Sequence, residues 1–156
     1  MPHPERIVCL TEETVETLYL LGEDRRIVGV SGFVVRPPEA RRKPKVSTFI
    51  EAKVDEIIAL KPDLVFTFSD IQAEITANLM RAGLEVHAFN HRTVEGIFRM
   101  IHSVGALIGT SEKSIALARD LQANIDAARE KAKTLPRRPR VYFEEWDDPM
   151  ISAIGW

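Results

Sequence analysis

Pro62 is the residue that most constrains what this chain can fold into. It separates Val54-Asp-Glu-Ile-Ile-Ala-Leu60 from Leu64-Val-Phe-Thr-Phe68, with only Lys61 and Asp63 between. Proline lacks an N–H and its ring clashes with the preceding helical turn, so a helix running up to it must stop. The five residues from Leu64 to Phe68 are almost all apolar, which suits a parallel strand covered on both faces. Helix, Lys-Pro-Asp turn and buried strand together make one sharply punctuated α/β unit.

The same alternation extends in both directions. Ile7–Leu10 is an apolar run, followed by Thr11 as a helix N-cap with Glu12 and Glu13 in the first turn, where the helix dipole favours acids. Val15, Leu18, Tyr19 and Leu21 form the stripe of that helix, and Gly22 closes it. Ile27–Val30 is a second strand. The stretch 31–45, with Pro37, Pro38 and Pro44, reads as a loop. Ser69 and Gln72 have capping-box spacing and open a helix to about Ala82, which stops at Gly83. Val86–Phe89 is the next strand. Thr93 caps a helix through Ile108, closed by Gly109. Short connections between alternating elements predict an α/β, Rossmann-like parallel sheet with flanking helices.

The alternation breaks after residue 109. Ser111 caps one long helix from Glu112 to about Leu135, about 36 Å at 1.5 Å per residue, with Ile115, Leu117, Ala118, Leu121 and Ile125 at helical spacing. Pro136 and Pro139 end it, and Arg140–Glu144 reads as a new strand. The expected organisation is an N-terminal α/β lobe over 1–109, a backbone helix over 110–136, and the start of a second, truncated lobe over 137–156.

Composition removes several classes of function. A formal net charge of −2 over 156 residues offers no electrostatic basis for binding nucleic acid or an anionic membrane. Cys9 is the only cysteine, so an intrachain disulfide is excluded, and its apolar surroundings suit a buried, inert thiol. No run reaches the roughly 18 to 20 apolar residues of a membrane span. Met-Pro-His-Pro-Glu-Arg opens the chain without the pattern of a signal peptide. The expectation is a cytoplasmic protein, or one whose export signal was removed or lies outside this chain. No Gly-x-Ser-x-Gly, Gly-x-x-x-x-Gly-Lys-Ser/Thr or Gly-x-Gly-x-x-Gly motif is present, which argues against an enzyme.

Val46-Ser-Thr-Phe49 followed by Ile58-Ala-Leu-Lys-Pro-Asp-Leu-Val65 resembles the substrate-binding proteins of cobalamin and iron-siderophore ABC importers. So does the order of Arg6-Ile-Val-Cys-Leu, first lobe, long helix and Arg140-Val-Tyr-Phe. The resemblance implies two α/β lobes joined by a rigid helix, with ligand in the cleft between them. It implies a large macrocycle or chelate as transported ligand (cobalamin, or a ferric siderophore or haem) and no built-in cofactor. It also implies membrane subunits of an ABC transporter as partner and a periplasmic or membrane-associated location. A full member has a complete second lobe. Here the apolar stripe of the long helix predicts a homodimer, through that helix or through the terminal strand.

In an open parallel sheet, ligands meet the loops at the carboxyl ends of the strands. Segments 10–13, 31–35, 47–51 and 69–72 fall there. By the resemblance, Phe33 and Phe49 are aromatic ligand contacts, and a flat ring buries much apolar area at low entropic cost. The alternative is that they pack the lobe surface. Ser47 and Thr48 offer hydroxyls at the rim or cap the following turn. His91, on the loop after Val86–Phe89, is a candidate ligand contact. His87 and His102 read as packing or surface histidines, since no two histidines share an i, i+4 helical spacing. Glu145 and Trp146 would touch ligand in a complete two-lobed protein. The acids around them, Glu144, Asp147 and Asp148, suit a hard cation or a solvated turn, and no metal site is expected. Glu74 resembles the acidic residue that docks on transporter arginines; the helix dipole alone would also place a Glu there. A flavodoxin-like signalling domain, with Glu12, Glu13 and Asp70 as its acids, is the alternative of another class. A nucleotide-using enzyme is a third, and lacks a phosphate loop.

Overall fold

The computed structural model describes residues 3–152 and divides into two compact units, Met1–Ala118 and Arg119–Trp156. The first unit is built on a five-stranded parallel sheet in the order β3-β2-β1-β4-β5. Its strands are β1 (Ile7–Cys9), β2 (Ile27–Ser31), β3 (Lys45–Ser47), β4 (Leu64–Phe68) and β5 (Val86–Phe89). Between and after them run α1 (Glu12–Leu20), α2 (Val54–Ala59), α3 (Ala73–Arg81) and α4 (Val94–Leu107). The chain winds outward from β1 to β3, then crosses back to β4, so the strand order reverses between β1 and β4. This is the Rossmann order; a flavodoxin-like sheet would place the third strand beside the first. The flavodoxin-like alternative is corrected on that ground.

Successive side chains of a strand point to opposite faces, and β1 shows how both faces are filled. Val8 and Leu10 pack with Val46, Val65, Ile57 of α2 and Ile75 and Leu79 of α3. Cys9 turns to the other face, toward Thr14 of α1, and burial pushes its thiol up to about 12. On that side α1 packs against α4, with Val15, Leu18, Met100, Ile101 and Val104 buried. Burying each such side chain is worth about 1.5–3 kcal/mol. Leu21 is buried as the stripe required, and Tyr19 is half-buried. Gly22 takes φ +74° at the end of α1 and Gly83 takes φ +84° after α3, a region closed to most side chains, which is why helices stop on glycine there.

Four readings of the sequence are corrected. The 31–45 loop holds a 3₁₀ turn over Pro38–Arg42 and ends in β3, whose pairing with β2 is parallel. Thr11 sits at the N-cap of α1, but its hydroxyl makes no capping bond. Ser69 does cap, accepting from Ile71 N–H, yet it opens a 3₁₀ turn, Asp70–Gln72, and α3 begins only at Ala73. Gln72 does not complete a capping box; its side chain is buried elsewhere. The fourth concerns the segment 140–144, treated with the second unit.

The long helix α5 (Ser111–Lys133) is 23 residues, about 35 Å. Ser111 is its first residue rather than a cap outside it. Ile115, expected in the stripe, is 57% exposed, whereas Ser114 and Ala118 are buried. Gly105 of α4 decides this. Any Cβ there would collide with Ser114 Oγ and Cβ, so the missing side chain lets α5 approach closely along its Ser114 face. A charge network completes the anchor. Glu23 accepts from Arg26 at 2.8 Å and Lys113 at 3.1 Å, and Arg26 donates to Pro4 O at 2.6 Å. The N-terminal segment, the end of α1 and the first turn of α5 thus share one buried carboxylate, with side-chain exposure of only 8%.

The second unit contains the rest of α5 and a small antiparallel hairpin, β6 (Trp146–Asp147) with β7 (Met150–Ile151). The strand expected over 140–144 is not formed. Val141 is 86% exposed, and Tyr142 and Phe143 are nearly as open. An apolar run becomes a strand only when a neighbour completes its ladder of hydrogen bonds, and none of the described residues does so. Residues 153–156 of the expected second-lobe segment lie outside the described residues. No helix among the described residues is long and apolar enough to cross a membrane.

Candidate functional site

Five turns leave the carboxyl edge of the sheet. The turn after β2 begins at Ser31, whose Oγ accepts from Phe33 N–H at 3.3 Å, while Gly32 N–H donates to Ser47 O at 2.8 Å. This bond brings the turns after β2 and β3 together. The Phe33 and Phe49 rings stack there, centroids 5.0 Å apart and planes inclined by 28°. Phe33 is 50% exposed and Phe49 40%. The pair is therefore a half-open aromatic face rather than core.

The hydroxyls beside it divide their roles. Thr48 Oγ1 accepts from Glu51 N–H at 3.1 Å, so it closes the turn. Ser47 Oγ is buried with no hydrogen-bond partner among the described residues, as are Thr11 Oγ1 and His91 Nδ1.

Gln72 joins the two sides of the edge. Its Nε2 donates to Leu10 O and to Phe49 O, both at 3.2 Å, and its Oε1 accepts from Phe68 N–H at 3.0 Å. The ends of β1 and β4 and the turn carrying Phe49 are held by one side chain, 1% exposed.

The turns after β4 and β5 carry the polar part of the edge. Ser69 has φ +69°, a strained backbone for a residue with a Cβ, costing about 1–3 kcal/mol. Its Oγ donates to Asp70 Oδ1 at 2.8 Å. Arg92 reaches back from the turn after β5 and donates to Ser69 Oγ and Asp70 Oδ1, both at 3.1 Å, and to His91 O at 3.0 Å. Its guanidinium lies over Phe68, 5.5 Å from the ring centre. His91 leans on the same ring, centroids 4.8 Å apart. The Ser69 hydroxyl, backbone N–H groups and the charge of Arg92 hold Asp70 below the usual carboxylate range. Burial lowers His91, with Arg92 and Arg99 adding to the effect and Glu13 opposing it, so its imidazole is neutral at pH 7.

Phe33, Ser47, Thr48, Phe49 and His91 thus share one edge of the first unit. Glu74, in the first turn of α3, is exposed and paired with Arg81 of its own helix at 3.2 Å. It borders an open groove of about 650 Å³ with Lys45, Ile50, Lys53, Ile75 and Asn78. Glu145 and Trp146 belong to the second unit, where Glu145 N–H donates to Ile151 O at 2.9 Å and Trp146 pairs with Ile151. Among the described residues no group of three His, Cys, Asp or Glu is placed to hold a metal. His87 packs its ring against Phe66 and Phe89. Sequence reasoning missed Gln72 and Arg92 as site residues. A basic residue directly after His91, at the carboxyl end of a strand, was the available signal for Arg92.

The architecture is shared with solved structures. The periplasmic vitamin B12 binding protein BtuF of Vibrio cholerae superposes with a TM-score of 0.83 at 22% identity, over 97% of this chain and 60% of that one. The periplasmic heme-binding protein RhuT from Roseiflexus sp. RS-1 gives 0.81 at 27% identity, over 90% and 55%. In sequence, the chain is 28% identical to the ABC transporter substrate-binding lipoprotein YvrC of Bacillus subtilis, over 97% of this chain and 50% of that protein. It is also 28% identical to the cobalamin-binding protein of Halobacterium salinarum, over 92% and 40%. The chain spans about half the length of the curated relatives it matches. A family model described as periplasmic binding protein matches residues 7–155. An open Rossmann-order sheet with an aromatic carboxyl edge and a long trailing helix is the lobe such proteins use to hold ligands, and the chain belongs to the periplasmic binding protein family.

Proposed function

We propose that this chain carries the first ligand-binding lobe of an ABC importer's substrate-binding protein, with cobalamin or a related corrinoid as its cargo. The observation that carries the reading is the half-exposed Phe33–Phe49 stack at the carboxyl edge of the sheet. A flat, rigid aromatic face buries much of a macrocycle at little entropic cost, and the Gln72 bonds hold that face in place before ligand arrives. The protein binds and delivers its cargo and performs no chemistry on it. In this reading residues 137–156 open a second lobe, whose Glu145 and Trp146 meet the ligand from the other side. Glu74 meets arginines of the transporter's membrane subunits, and the protein works on the outer side of the cytoplasmic membrane.

Haem or a ferric siderophore is the second reading. It is favoured by the 27% identity to RhuT and by the Arg92 guanidinium at the edge, which suits acidic cargo. Calorimetric titration with cyanocobalamin, haemin and a ferric siderophore tests both. It should be run on this chain, on its Phe49→Ala variant, and on a form continuing through a second α/β lobe. Saturable cyanocobalamin binding, weakened by Phe49→Ala, is the expected result. Binding of haemin or a siderophore alone changes the cargo and keeps the role. If neither this chain nor the longer form binds any of the three, the transport reading falls and the fold remains.

A further inference from the structure

We propose that Arg92 is a recognition residue for an anionic group on the rim of the cargo, and that Asp70 occupies the place of that group until the cargo arrives. The inference rests on the binding-protein reading above and adds to it the charge of the ligand. The carboxyl edge has two chemically different sides. The turns after β2 and β3 present the apolar Phe33–Phe49 face. The turns after β4 and β5 present Ser69, Asp70, His91 and Arg92 around the Phe68 ring. Gln72 ties the two sides together through Phe49 O and Phe68 N–H. A flat ligand lying on the phenylalanines therefore extends its rim toward Arg92.

Arg92 is built to donate. Its bonds to His91 O and Ser69 Oγ and its seat over Phe68 fix the guanidinium in one orientation. The side chain is still 35% exposed. Its carboxylate partner is held far less firmly, for Asp70 is 81% exposed. An exposed ion pair of this kind contributes little, because water screens it and both side chains can move away. An anion delivered by a ligand that covers the edge meets Arg92 with less water present. The same charge-assisted bond is then stronger. The exchange of Asp70 for a ligand carboxylate or phosphate is thus favoured by desolvation, while an uncharged rim would leave the Asp70 pair undisturbed and gain nothing from Arg92. Ser69, strained at φ +69°, sits at the pivot of this exchange and bonds both partners.

The test uses the full chain and two matched ligand pairs. Haemin is compared with its dimethyl ester, which lacks free carboxylates. Cyanocobalamin is compared with dicyanocobinamide, which lacks the phosphate. Affinities are read for the unaltered chain, Arg92→Ala and Asp70→Asn, at low and high salt. Within whichever pair binds, the expected result is an advantage of about tenfold for the acidic ligand. The advantage is lost in Arg92→Ala, reduced by salt and enlarged in Asp70→Asn, with the neutral ligand's affinity little changed throughout. The pair that shows it distinguishes a carboxylate from a phosphate rim. Equal affinity for the two members of each binding pair, or an advantage that survives Arg92→Ala, overturns the proposal while leaving the binding-protein reading intact. Failure of every ligand to bind overturns both.

Discussion

Gln72 Nε2 donates to Phe49 O across 3.2 Å, linking the turn after β4 to a turn 23 residues earlier in the chain. The same amide bonds Leu10 O and Phe68 N–H. Gln72→Leu fills a similar volume but strips three backbone groups of their partner. Each buried group left unpaired costs about 1–3 kcal/mol. A loss of about 2–4 kcal/mol in urea unfolding is expected for the variant, together with weaker ligand binding through a loosened Phe49 turn. A change below about 0.5 kcal/mol would mean that the edge is not held by this side chain.

Phe33 and Phe49 divide stability from binding. Both rings are half-exposed, so Phe33→Ala and Phe49→Ala should each lower stability by less than about 1 kcal/mol. Macrocycle affinity should fall about tenfold or more in Phe49→Ala. A double-mutant cycle on binding should give a coupling of about 0.5–1.5 kcal/mol, as for other aromatic pairs. Additive effects would show that the stack seen between the rings does not persist with ligand bound.

Gly105→Ala sets two effects against each other. Alanine gains about 1 kcal/mol of helix propensity over glycine. Its Cβ would meet the Ser114 side chain at a separation no real contact tolerates, and such overpacking costs about 1–3 kcal/mol. The variant should melt below the parent by a few degrees, and Ser114→Gly in the same background should recover part of the loss. A melting temperature above the parent would show that α4 and α5 separate without cost.

Glu23 makes stability pH-dependent in a defined direction. Burial alone would raise its pKa, but hydrogen bonds from Lys113 and Arg26 outweigh it, and the carboxyl lies below its ordinary 4.5. A depressed folded-state pKa means that the unfolded chain takes up the proton first. The stabilisation is therefore present above about pH 4.5 and lost as pH falls through the lower folded value. Arg26, Lys113 and Glu5 are the charged groups around it. Urea unfolding from pH 7 to pH 3 should show less acid destabilisation in Glu23→Gln than in the parent, at the expense of lower stability at pH 7. Parallel pH profiles would contradict this assignment.

The open segment Val141-Tyr-Phe143 predicts association of this chain in solution. Sedimentation should show a concentration-dependent dimer that Val141→Lys with Phe143→Glu abolishes. A monomer at all concentrations would remove the dimer expected from the sequence.

Four of the five sheet strands were legible because each is a short apolar run bounded by Gly, Pro or a cap. β3 was not. Lys45-Val-Ser47 holds one apolar side chain, and its strand character comes from pairing with β2, which no local pattern records. The converse holds at Arg140–Glu144, where the pattern is strand-like and no ladder partner exists among the described residues. Phe33, Phe49 and His91 were legible as edge residues because strand ends can be counted along the chain. That Phe33 and Phe49 touch, and that Arg92 turns back onto Asp70, could not be counted.

The sequence by itself determined the alternation, the helix stops at Gly22, Pro62 and Gly83, and the family, because these depend on backbone restrictions and on the order of local motifs. Tertiary structure alone decided strand order, the burial of Ser114 in place of Ile115, and the conversion of Gln72 from an apparent cap into the tie across the ligand edge. The physical reason is the same in each case. Spacing along the chain fixes which groups need partners, and only packing of distant segments fixes which partners they find.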